Sequence, residues 1–301
     1  MENYSELMNG TKNLDAKANH EQLTFTILLI LINTTSLFGN GFVISSVYSV
    51  NKRKRTVFMK SKVSLAISDI GYALTSVLYI VDGIEMCLTD SLPKRPDFWP
   101  LLQINTSAFF ISVSVYNVAV MALLRCYAIN RPLDYKNLPV KKQNLFIASA
   151  WFPGLLAVVL VSLYDHNNSA QKGYLGIVGF CLTTIIPFVV LLASTMTMLA
   201  VFLWSEQKSG VNVIGTTSSQ RNHWKMVKIT FLMVCGYGLV YVPYIVSGSI
   251  FFAKGENVVS PIEFPSYLRS TTLILNLTGI IDILIYSVFD EQFRYHILRT
   301  C

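Results

Sequence analysis

The chain runs to 301 residues, 52% of them hydrophobic and only 14% charged, with a mean hydropathy of +0.49. A soluble domain of this length carries roughly a quarter charged residues, so the composition excludes an ordinary water-soluble protein and points to the membrane. The formal net charge of +7 would suit nucleic acid or an anionic surface, and only its distribution along the chain decides what it means.

The opening segment, MENYSELMNGTKNLDAKANHEQ, is polar and acidic, with no basic stretch ahead of a short apolar core. The first apolar segment is therefore expected to act as its own insertion signal rather than a cleaved one. Sequons at Asn3 and Asn9 lie in this tail, and a third at Asn167 follows the fourth apolar stretch. All three are glycosylation candidates if those segments face outward.

A bilayer core needs about 20 apolar residues as helix. Seven stretches qualify in turn, at 24–50, 62–84, 101–128, 143–164, 173–204, 224–252 and 266–288. The fifth has one proline and no charge, and the seventh is the least apolar, carrying Asn276, Thr278 and Asp282. The connections are short, which leaves no room for a separate soluble domain. The segment SEQKSGVNVIGTTSSQRN, 205–222, reads as a flexible inner loop with phosphorylatable Ser and Thr. DEQFRYHILRTC closes the chain as a short amphipathic helix on the inner surface, with Cys301 as a palmitoylation candidate. The expected organisation is an outer tail at 1–22, an all-α seven-helix bundle at 23–288 and an inner helix at 289–301.

With the N-terminus outside, 17 of the 24 lysines and arginines fall on the inner side and seven outside. Most acids lie in the N-terminal segment and outer loops. The bias fixes N-terminus out and C-terminus in. The positive charge is thus a topology signal, and no nucleic-acid partner is expected. NKRKR, 51–55, flanks a span rather than forming a localisation patch. The five cysteines, Cys87, Cys126, Cys181, Cys235 and Cys301, lack metal-ligand spacing and do not suggest a disulfide framework.

Two charges stand inside apolar runs. Arg125, in MALLRCYAINRPLDY, has no acid on its N-terminal side to balance it. Snorkelling of its side chain to the headgroups is the plain reading. Asp69 lies mid-span, where a charge costs about 2.5–3.5 kcal/mol on insertion scales, so it requires a partner or a proton.

Each span also carries a short motif of its own. GNGFV carries Asn40 in the first span, and LAISD carries Leu65 and Asp69 in the second. In the third, Ser114 stands at a small polar position eleven residues before Arg125. Trp151 with Pro153 marks the fourth, Pro187 the fifth and Pro243 in YGLVYVPY the sixth. DILIY followed by SVFDEQFR places Tyr286 and Phe293 in and after the seventh. No one of these decides the matter, but together, one per span, in order and at matching depth, they resemble the motifs of the rhodopsin-like (class A) G-protein-coupled receptors over residues 22 to 299.

The departures are as informative. Leu124 and Cys126 replace the acid and tyrosine flanking the family arginine, and Tyr241 and Tyr237 replace a tryptophan and a phenylalanine of the sixth span. Asp282 and Ile283 stand for asparagine and proline of the seventh-span motif, and Thr195 for the fifth-span tyrosine. Pro100 occupies the place of a cysteine that would staple the third span to an outer loop, and that loop has no cysteine either. Some lipid and melanocortin receptors share that lack.

The resemblance implies a seven-helix receptor in the plasma membrane, passing an outside signal from a small molecule, lipid or short peptide to a heterotrimeric G protein. Arg125, Tyr286, Pro243, Tyr241 and Tyr237 would form the coupling and switch set. Asn40, Asp69, Ser114 and Asp282 would converge on a cavity able to hold sodium, since oxygen ligands suit a hard cation. Two adjacent carboxylates can equally share a proton, and a plain hydrogen-bond network is the third reading. The ligand pocket would draw on Gln103, Ser107, Thr183, Tyr241, Tyr244 and Asn276. Ser107 stands where amine receptors carry an aspartate, and Asn276 where opsins carry the retinal-binding lysine, so neither an amine nor a retinal Schiff base is expected. Outer acids Asp82, Glu85, Asp90 and Asp97 read as a solvated rim, with attraction of a cationic peptide as the other reading. With Leu124 beside it and only His223 near the base of the sixth span, Arg125 is expected to lack its resting restraint.

Other classes fit less well. A transporter would show inverted repeats and matched broken spans, and an enzyme would need a cluster of ligands or nucleophiles among four scattered histidines. A receptor-shaped protein that binds without coupling is the nearest alternative, given the altered switch residues.

Overall fold

The computed structural model describes residues 2–51, 55–89, 96, 98–166, 175, 177–209, 218–254, 263–289 and 293–294. Among these residues every regular element is helical. Seven helical segments are long and apolar enough to cross a bilayer: His20–Tyr48, Val57–Thr89, Phe98–Asn130, Val140–Leu163, Ile177–Val201, Lys228–Val246 and Thr271–Val288. The seven-helix fold expected from the sequence is therefore present, and the chain is a multi-pass membrane protein.

A backbone in hydrocarbon must satisfy every polar group internally, which makes each span helical, and the helices run on past their apolar stretches. The first begins at Glu2, well inside the polar opening segment. The second begins at Val57 and takes Lys60 and Lys62 into its first turns. The first span packs on the second and seventh, the second on the third, the third on the fourth and fifth, and the sixth closes the ring between fifth and seventh. The third span is the axle, with 61% of its apolar window buried against 17% for the fourth, which lies at the periphery. Small residues bring helices close at the first–seventh seam. A Cβ on Gly39 would strike the Ile283 side chain, and one on Gly279 would strike Ser36 and crowd Asn40.

Three spans carry a proline, and two of them depart from regular α-helix beside it, since proline lacks an N–H. Pro153 leaves the fourth span as two helices, Val140–Ser149 and Phe152–His166, with Ala150 and Trp151 bonded back only three residues at the joint. The Trp151 indole then donates to Ser64 Oγ at 2.9 Å and pins this outer helix to the second span. In the fifth span a π-helical turn at Cys181–Ile185 precedes Pro187. Ile186 donates to Cys181 O, but Pro187 has nothing to offer Leu182 O, and the Tyr116 hydroxyl of the third span takes that carbonyl at 2.7 Å. Tyr116→Phe would strand a carbonyl, and we expect a loss of about 1–3 kcal/mol, read as a lower melting temperature in detergent. Pro243 lies within the unbroken sixth helix Ser218–Lys254. In the seventh, Ile283 in place of proline lets the helix run continuously from Glu263 to Phe289.

The expected tail helix at 289–301 falls mostly outside the described residues. Phe293 is buried in the main core beside Tyr286, Arg294 is exposed, and Cys301 lies outside. Asn167, residues 210–217 and the side chains of Asn3, Asn9 and His223 also lie outside what is described, while the expected 205–222 loop is corrected at both ends, where the helices Ile186–Ser209 and Ser218–Lys254 extend into it.

Candidate functional site

Buried polar groups occupy three levels of the bundle. At the inner mouth, Arg125 is 4% exposed. Its Nη1 donates to Thr230 Oγ1 at 3.0 Å and to Met233 Sδ at 3.2 Å, both on the sixth span. The guanidinium carbon lies 4.5 Å from the centroid of the Phe58 ring on the second span. These contacts overturn snorkelling, and they also correct the expectation of a missing restraint: the arginine is held by a hydroxyl, a thioether and a ring face. Among the described residues no carboxylate pairs with it. Asp134 takes Arg131 instead, at 3.7 Å and well exposed, a pair of little energetic weight.

Leu124 has a different task from the acid it replaces. It is buried among Val57, Val120 and Ala150, with Tyr116 and Tyr135 packed alongside. Tyr135, in the inner connection, feels the arginine from outside the spans: burial pushes its phenol up, and the Arg125 charge opposes that rise. A second cation, Lys62, is also buried, its Nζ 4.9 Å from the Phe58 centroid and 5.1 Å from that of Tyr286. The Tyr286 hydroxyl points to Met121 Sδ at 3.9 Å.

At mid-depth, Ser114 Oγ donates to Asp69 Oδ1 at 2.6 Å, and Tyr237 Oη donates to Asp282 Oδ2 at 2.9 Å. The two carboxyl groups are neighbours, close enough for the charge of one to act on the other. Asp69 Oδ2 and Asp282 Oδ1 are buried and receive no donor among the described residues. Ionised carboxylates only accept, so two that face one another in a buried space require a proton or a cation between them. Asn40 lies at the seam of the first and seventh spans, its Nδ2 beside Gly279, three residues before Asp282. Its Nδ2 donates to Ser36 Oγ at 3.2 Å and its Oδ1 is buried without a donor. Asp69 Oδ2, Asp282 Oδ1 and Asn40 Oδ1 are the oxygens left without donors, and oxygen ligands are what a small hard cation takes.

The outer level is less unified than expected. Tyr241 stacks on Tyr237, with centroids 5.7 Å apart and planes 12° from parallel, and meets Tyr244 edge-on at 6.3 Å. Phe180 of the fifth span adjoins Tyr244 at 5.8 Å. The Tyr241 hydroxyl is buried and has no partner among the described residues. Asn276 bridges to the second span, accepting from Ser76 Oγ at 2.9 Å while its own amide donates to Thr272 O. Gln103 turns to the second span and donates to Asp82 Oδ2 at 2.6 Å, where the Trp99 indole also arrives at 3.3 Å. Asp82 is therefore a strut between two spans rather than part of a solvated rim. The Ser107 hydroxyl oxygen is buried and has no hydrogen-bond partner among the described residues. Thr183 lines a separate crevice of about 180 Å³ between the third, fourth and fifth spans, with Tyr116, Phe152, Pro153 and Leu182.

Phe58, Lys62 and Thr230 escaped sequence reasoning. A phenylalanine at the start of a span looks like lipid contact, and a lysine there looks like positive-inside flanking. The one available signal was Leu124, which obliged some other group to balance Arg125.

Residues 39–275 match the sequence model of the family described as 7 transmembrane receptor (rhodopsin family). The chain is also 23% identical, over 330 residues, to Melanopsin-B of Xenopus laevis. That alignment takes in 97% of this chain but 58% of the relative, so the chain spans little more than half of that protein's length.

Proposed function

Because the chain belongs to the rhodopsin family of seven-transmembrane receptors, we propose that it is a plasma-membrane receptor that relays an extracellular ligand to a heterotrimeric G protein. The observation that carries this reading is the Arg125 contact with Thr230, which ties the third span to the sixth at the inner mouth. A ligand that favours an arrangement without that tie shifts the bundle toward it by its differential affinity. The reading extends through the bundle along one line of contacts. Tyr241 stacks on Tyr237, and Tyr237 bonds to Asp282. A ligand engaging the Tyr241 hydroxyl would thus act on the same sixth-span residue that answers to the carboxylate pair.

Asp69, Asp282, Ser114 and Asn40 would hold sodium, which supplies a positive charge between two acids and makes no covalent change. No covalent retinal is proposed, since Asn276 offers an amide already engaged on both sides. Proposed modification sites are glycosylation at Asn3, Asn9 and Asn167 and palmitoylation at Cys301. The test is a G-protein dissociation screen in cells expressing the chain at verified surface levels, against small-molecule, lipid and short-peptide libraries. A ligand-dependent response supports the receptor. Silence across every G-protein class, basal and stimulated, favours a binding protein that does not couple.

A further inference from the structure

Arg125 is buried at the inner mouth beside a leucine, and what fixes its plane is a ring. We propose that Phe58 is the positioning residue for Arg125: its ring face takes the place of a carboxylate and holds the guanidinium against the sixth span. The proposal rests on the receptor reading above for the meaning of the inner mouth, but its geometry stands apart from it.

Three observations converge. The guanidinium carbon lies 4.5 Å from the Phe58 centroid, inside the range over which a ring quadrupole attracts a cation. The hydrogen bonds to Thr230 and Met233 use the guanidinium edge, which leaves its flat face for the ring. A planar cation uses both at once, and a point charge on a flexible stem cannot. Finally, Lys62 Nζ approaches the same ring at 4.9 Å and that of Tyr286 at 5.1 Å. Phe58 therefore gathers charges from the second and third spans at a point that the seventh span also touches. An acid at Leu124 could not share this task, because that side chain faces an apolar cluster of Val57, Val120 and Ala150.

The substitution of ring for carboxylate has a chemical consequence. A carboxylate restraint is lost when it takes up a proton, whereas a phenyl ring has no proton to gain. The Phe58 restraint is set by the electron density of the ring face alone.

The experiment places fluorinated phenylalanines at position 58 by genetic-code expansion, from one fluorine to three, in the full chain reconstituted in lipid nanodiscs. Fluorine drains the ring face while barely changing its size, so a role in packing alone predicts no trend. Two measurements are made on each sample: backbone hydrogen exchange over 218–233, at the inner end of the sixth span, and nucleotide exchange on added G protein. Exchange of the sixth-span amides is expected to accelerate stepwise with fluorine, by about three- to tenfold at three fluorines. Phe58→Leu should match the fullest effect and Phe58→Trp should restore protection. Flat exchange across the fluorinated series overturns the proposal, whatever Phe58→Leu does. A graded series without G-protein turnover in any sample upholds Phe58 and defeats coupling. Turnover with a flat series does the reverse.

Discussion

Replacing sodium with N-methylglucamine at constant ionic strength is expected to lower the melting temperature of the solubilised protein by about 3 °C. The size follows from mass action: a cation at ten times its dissociation constant contributes about 1.4 kcal/mol to the folded state, worth a few degrees in a chain of this size. The direction follows from the centre of the bundle. Asp69 Oδ2 and Asp282 Oδ1 face a buried space without donors, while Ser114 and Tyr237 already serve the other two oxygens. Asp69→Asn supplies an N–H where a cation would sit, so the variant should melt at one temperature in either salt. A wild type indifferent to sodium but stabilised by acid would mean that the acids share a proton instead.

Arg125→Ala is expected to abolish G-protein nucleotide exchange at matched surface expression, whereas Thr230→Val should raise basal exchange. Alanine removes both the cation and its hold on the sixth span. Valine removes only the acceptor and leaves the arginine in place for the partner. Interactions that bias such two-state equilibria are worth about 1–3 kcal/mol, or 5- to 150-fold, and a single hydroxyl contact belongs near the lower figure. If Arg125→Ala and Thr230→Val both raised basal exchange alike, the arginine would be a restraint only, and the partner would bind elsewhere.

The fold was legible because hydrocarbon imposes a length and a composition on any helix that crosses it, and lysines and arginines sort to one side. The cost of buried charge said only that Asp69 needs a partner or a proton; its grouping with Ser114 and Asp282 was legible through the resemblance to rhodopsin-like receptors and not from the residues alone. Side-chain direction was not. Gln103 and Thr183 seemed equivalent liners of one pocket, yet Gln103 turns to Asp82 while Thr183 lies in the lateral crevice with Tyr116. Nor could a string of letters reveal that a phenylalanine sixty-seven positions upstream lies over Arg125. A cation–ring contact has no spacing rule, and Phe58 resembles every other phenylalanine in a membrane protein.

The strut at Asp82 bears on how the protein can be made. The outer ends of the second and third spans are joined by hydrogen bonds from Trp99 and Gln103, and the four cysteines among the described residues are free thiols. That seam requires no thiol oxidation to close. It forms as readily in a bacterial cytosol or a cell-free lysate as in a secretory lumen, and millimolar reductant in the purification buffer leaves it untouched.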